Sequence, residues 1–225
     1  VSDASVTVTG DRAEGINVVG GGVVVADRNT IFATSNGVAS IDNGGALVSG
    51  AGSMLTLTNS TIRATSHVGH GIATDGGAHT IVSDTSVTTE GLNSVALATG
   101  ALPTLPTSVL DATNVTIRTT GNGRSYGASS GGNSVVTLTG GSIVTEGTAT
   151  DPFTANARRP EGVAVFNPGA VLDATGTSIT RSGVEGFGAV ADDGGSITLS
   201  GNAITTNGLA AIGLYAGIDV PGAQA

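Results

Sequence analysis

Short runs in which every second residue is apolar recur along the whole chain, each closed by a turn of Thr, Ser, Asn or Gly. Leu55-Thr56-Leu57, Val136-Thr137-Leu138 and Ile197-Thr198-Leu199 carry the period of two that belongs to a strand with one buried face. A tight turn follows, such as Thr58-Asn59-Ser60 or Ser200-Gly201-Asn202, and then an apolar anchor at Val8, Ile31, Ile62, Val87, Ile117, Ile143, Ile179 and Ile204. The differences between these positions, 23, 31, 25, 30, 26, 36 and 25, describe a base period of two dozen residues that tolerates insertions. Beyond each anchor a Gly-containing corner leads to a third short strand, as in Gly71-Ile72-Ala73, Gly162-Val163-Ala164-Val165 and Ala211-Ile212-Gly213-Leu214.

Three strands per repeat, each stacked on the same strand of the repeat before, would satisfy the backbone hydrogen bonds and bury one face of every strand. The pattern therefore predicts one all-β domain over 1–225, a right-handed parallel β-helix of about eight coils. Val, Ile and Leu would point inward and Thr, Ser and Asn outward, in a rod on the order of 40 Å long at ~4.8 Å per coil. Loop insertions are expected near 65–71, 99–108, 121–133 and 146–162.

Composition narrows the function. The 37 Gly and 3% aromatic content argue against long helices and against an aromatic-rich globular core, while 39% hydrophobic residues are too many for a disordered chain. A net charge of −9, with scattered Arg and no Lys, disfavours nucleic acid and anionic membranes as partners. The absence of Cys excludes disulfides and thiolate metal sites, and no apolar run is long enough for a spanning helix.

The coils open on Gly-[Val/Ile/Phe]-x-[Val/Ala], continue with x-[Val/Ile]-x-Leu and close on [Ser/Thr]-[Ile/Val]-x-[Thr/Arg], most clearly from Gly162 to Gly186 and from Phe187 to Ala210. On these residues the chain resembles the pertactin-like passenger domains of type V secreted autotransporters, over a span from about Val6 to Tyr215. The resemblance implies a secreted stalk, exposed at the bacterial cell surface or extracellularly, whose only membrane connection is a translocator barrel not included in these residues. It implies a fragment or a processed piece. It implies further a non-enzymatic adhesin or host-factor-binding virulence protein, with a host-cell surface or serum protein, or another copy of itself, as partner. A self-associating surface protein for aggregation or biofilm is the alternative, and a β-helical polysaccharide lyase or hydrolase the second alternative. The RGD tripeptide found in pertactin is absent, and Asn93-Ser94-Val95-Ala96-Leu97, similar to a repeat of trimeric adhesins, occurs once.

Candidate chemistry is sparse. Gly69-His70-Gly71 and Asp192-Asp193 match two motifs of polygalacturonase-like β-helices, but in reversed order and several coils apart, too far for paired carboxyls at one glycosidic bond. Asp27, Asp84, Asp111 and Asp173 could stack into an acidic ladder, although Asp at a turn serves its own backbone. His67, His70 and His79 lack a tight ligand spacing, and outward Thr rows such as Thr56 and Thr58 are ordinary on a β-helix face. Neither catalytic residues, metal ligands nor cofactors are expected. In a solenoid the insertions carry recognition, so the candidate partner-binding residues are Phe153, Arg158 and Arg159, then Leu102 and Leu105, then Arg124 and Tyr126.

Overall fold

The computed structural model describes residues 1–34, 44–101, 106–149 and 159–217. All regular structure in them is strand, wound as a parallel β-solenoid with three strands per coil, about seven turns in all. Sheet I holds β1 (Ser5–Thr9), β4 (Thr30–Thr34), β7 (Thr61–Ala64), β10 (Ser86–Thr89), β13 (Thr116–Thr119), β16 (Ser142–Thr145), β19 (Ser178–Ser182) and β22 (Ala203–Asn207). Sheet II holds β2 (Glu14–Val19), β5 (Gly44–Ser49), β8 (His70–Asp75), β11 (Val95–Ala101), β14 (Tyr126–Gly132), β17 (Glu161–Phe166), β20 (Gly186–Asp192) and β23 (Ala211–Gly217). Sheet III holds β3 (Val23–Asp27), β6 (Met54–Thr58), β9 (His79–Ser83), β12 (Ser108–Thr113), β15 (Ser134–Thr139), β18 (Val171–Thr175) and β21 (Ser196–Ser200).

The anchors form one inward column on sheet I, with one shift of register. Val6, not Val8, pairs with Ile31, and the column continues through Ile62, Val87, Ile117, Ile143, Ile179 and Ile204. Both residues of the Val-Thr-Val run in β1 fit an alternating pattern, so the period alone cannot choose between them. The opposite wall is the column Leu55, Leu110, Val136 and Leu172 of sheet III, none of it exposed.

The interior is not wholly apolar. Thr74 and Thr80 share a hydrogen bond of 2.7 Å, and Thr99 and Ser130 both reach Ser134, at 2.9 and 3.0 Å, so buried hydroxyls satisfy one another inside the coil. Thr and Ser were expected to face outward, but a short hydroxyl that finds a partner is tolerated inside.

The three corners differ. From sheet III to sheet I the turn is two residues in every coil: 28–29, 59–60, 84–85, 114–115, 140–141, 176–177 and 201–202. Its first residue is left-handed (Arg28, Asn59, Asp84, Asn114, Gly140, Gly176 and Gly201), which is why Asn, Asp and Gly recur there. Its second residue is tied between coils, Ser60 Oγ accepting from the Asn29 amide at 3.0 Å and Thr85 Oγ1 from the Ser60 amide at 3.3 Å. From sheet I to sheet II the connection ranges from three residues (183–185) to fifteen (146–160). The strand ends that flank the longest connections, Thr34 and Gly44, and Thr145 and Glu161, therefore lie at that edge.

Candidate functional site

Sheet II strands bend where Gly15, Gly45, Gly71, Gly127, Gly162 and Gly188 sit, and the register skips there: Tyr126 pairs with Glu161, and the next partners are Ala128 and Val163. A Cβ on Gly162 would lie 2.4 Å from both the Gly188 carbonyl and the Ile179 side chain, so the glycines make room for the anchor column. Beyond the bend, inward Val163 and Val165 alternate with outward Ala164 and Phe166.

That alternation places four of the six aromatic residues, Tyr126, Phe166, Phe187 and Tyr215, on the outer face of sheet II. The Tyr126 and Phe166 rings lie 5.5 Å apart, and those of Phe187 and Tyr215 stack at 5.0 Å. Beneath them Ala164 is 0% exposed and Val190 3%, so a second apolar cluster exists outside the solenoid interior.

The C-terminal foot of the longest insertion is fastened to this cluster. The Arg159 guanidinium lies 5.6 Å from the Phe187 ring centre and 3.5 Å from the Glu185 carboxylate. Arg181, fully buried on the inward side of β19, donates from Nε to the Pro160 carbonyl at 2.8 Å and from Nη2 to the Glu185 carbonyl at 2.5 Å. Burial pulls its guanidinium down to about 10. Glu161 pairs along the strand with Tyr126 on one side and Phe187 on the other, and its Oε2 is buried without a hydrogen bond. Burial pushes its carboxyl up to about 8, against the pull of Arg159, Arg124 and Arg181 and with the push of Asp192.

Of the expected partner-binding residues, Phe153, Arg158, Leu102 and Leu105 lie outside the described residues. Arg159 does sit at the foot of the insertion, on the aromatic face. Arg124 lies at the neighbouring corner, exposed, with its amide bonded to Asn93 Oδ1 at 2.8 Å. Tyr126, expected in a loop over 121–133, instead opens a strand: 126–132 is β14, and Tyr126 is 9% exposed. Its ring is held by Phe166 rather than offered to solvent.

The other candidates scatter. His70 is on sheet II and His79 on sheet III, where its Nε2 lies 2.8 Å from Asp111 Oδ2. Asp111 and Asp173 share an outward column but Thr137 stands between them, while Asp84 is a turn residue and Asp27 is engaged by Thr58 and Asn59. No group of three metal-ligating side chains occurs among the described residues. His70 and Asp192 share the outer face of sheet II at four strand spacings, roughly 19 Å, too far for one glycosidic bond.

The alternation rule, applied outward from Val163 and Val165, could have found the aromatic face. The same rule, counted two residues on from the anchor Ile179, places Arg181 on the inward side of its strand, between Thr145 and Thr206 of the neighbouring coils. A scan of the chain against protein-family models finds no match, and a search among curated proteins finds none either.

The arrangement is a clamp. Replacing Arg181 by Ala should strip the donors from the Pro160 and Glu185 carbonyls and leave a void, at a cost of roughly 3 kcal/mol. Urea unfolding would read this, and exchange of the Arg159 and Glu161 amides should accelerate in the same variant.

Proposed function

We propose that this chain is a non-enzymatic presentation scaffold of the pertactin-like passenger type, displayed at the bacterial cell surface, that holds the 146–160 insertion toward a host-cell or serum protein. The distribution of connection lengths carries this reading. All seven sheet III to sheet I turns have two residues, whereas the sheet I to sheet II connections include nine residues at 35–43 and fifteen at 146–160. A fold whose coils are committed to stacking varies where it recognises. The foot of the longest insertion is pinned by Arg159, Arg181 and the aromatic face, which reduces the ordering cost of binding through it.

Deleting 147–158 while retaining Arg159 and the β-sheet circular dichroism signal should lower adherence to host cells or capture of serum proteins at least tenfold. Undiminished binding by the deletion variant would refute the proposal. Release of reducing ends or unsaturated products from acidic glycans would also refute it, in favour of the lyase or hydrolase alternative.

A further inference from the structure

The three outer faces of the solenoid are unlike. Sheet I carries ion pairs that stand on its surface, Arg63 with Glu90 at 2.8 Å and Arg118 with Glu146 at 2.5 Å. Sheet II is bent and carries its own aromatic cluster. Sheet III pairs without a skipped residue through all seven strands.

One outward column of sheet III reads Val23, Met54, His79, Val109, Val135, Val171 and Ser196, five of the seven being apolar. The next column adds Val25 and Ile81, its other five positions being Thr56, Asp111, Thr137, Asp173 and Thr198. Val23 and Val25 are 66% and 61% exposed. None of these side chains is needed inside, where Leu55, Leu57, Leu110, Val136 and Leu172 already fill the wall. At the sheet I edge the face ends in a hydroxyl row, Thr58, Ser83, Thr113, Thr139, Thr175 and Ser200. An apolar strip bordered by polar groups has the anatomy of an interface.

We infer that the outer face of sheet III is a docking surface for a second copy of this chain, the two faces packing against each other.

The area favours this occupant. Seven strands at ~4.8 Å give a face about 34 Å long, and five residues per strand at ~3.3 Å make it about 17 Å wide. Two such faces cover on the order of 1,100 Å², just above what a specific interface needs. Pairing of like faces is isologous and closes at the dimer. Charge does not forbid it, because two of the three carboxylates on the face are engaged within each copy: Asp27 is ion-paired with Arg28, and Asp111 is hydrogen-bonded to His79 Nε2 at 2.8 Å. The remaining one, Asp173, lies in the sixth of the seven strands, away from the centre of the face.

Sedimentation velocity on the full chain, from micromolar to submillimolar, tests this independently of the insertion-based function. The sedimenting mass should rise from 21.6 kDa toward twice that value. Val109→Lys with Val135→Lys, both outward, should hold the protein monomeric across the range, with unchanged circular dichroism and melting temperature. The 147–158 deletion should dimerise like the parent chain, so a failed loop function and a failed interface are told apart. A parent chain monomeric throughout, or a double-Lys variant that dimerises equally well, overturns the inference.

Discussion

Gly121→Ala should lower the urea midpoint by the equivalent of roughly 4 kcal/mol or prevent folding, although it adds a single methyl group to an ordinary region of backbone space. The reason lies in the sheet I to sheet II corner, where glycines stack coil upon coil. A Cβ on Gly121 would lie 1.8 Å from the Gly91 carbonyl oxygen and 2.7 Å from Ser125 Oγ. The same contact repeats at Gly147 against the Gly121 carbonyl, and at Gly91 against that of Ser66. A backbone oxygen cannot swing aside as a side chain does, so the coils must part. Gly100→Ala is the control: no atom lies within 4 Å of its Cβ and the face is exposed. It should shift stability by less than about 0.5 kcal/mol. A Gly121→Ala protein that unfolds within 1 kcal/mol of the parent would mean that the corner is looser than this stacking requires.

The second large effect is a fall in stability as pH rises, caused by Glu161. Its carboxyl titrates at about 8 in the folded protein, above the 4.5 of an unperturbed Glu. The folded state thus holds a proton that the unfolded state has released throughout the interval between those values. Stability from this group is full below the lower value and is lost as pH rises toward the upper one. Relative to Glu161→Gln, the parent chain should lose roughly 3–4 kcal/mol between pH 5 and pH 8. The carboxyls of exposed Asp3 and of half-buried Asp27 and Glu90 are held low by hydrogen bonds, chiefly from Arg28, Asn59 and Arg63 respectively, so their contribution is lost on the acid side. Both proteins share that acid limb, and the difference between the two pH profiles isolates Glu161. Parallel profiles from pH 5 to pH 8 would show that the buried carboxyl is solvated.

The proposed sheet III contact and the pinned insertion use different faces of one rod. A dimer formed through sheet III leaves the sheet I to sheet II edge, opposite the two-residue turns, free on both copies. Two insertions presented together would raise the effective strength of a weak contact without any change in the contact itself.

How much of this was legible in the chain follows from the range of each interaction. Alternation, the two-dozen period and the Asn, Asp or Gly of each left-handed turn are local or nearly so, and they determined the β-solenoid, its three strands per coil and the inward columns. Which of Val6 and Val8 is the anchor depends on the pairing of β1 with β4, which a period of two cannot specify. That Thr74, Thr80 and Ser130 point inward depends on partners brought together by the winding. Tyr126 looked like a loop residue because Gly-rich sequence surrounds it, yet the stack makes it strand and covers it with Phe166. Arg181 and Glu161 read as surface charges by type, and only the closure of the coil around them made one a brace and the other a proton carrier. The repeat fixes where each residue lies along its own coil, but burial and charge state are set by the partners that winding brings against it, from the neighbouring coils for Glu161 and across a corner for Arg181 and the inward hydroxyls.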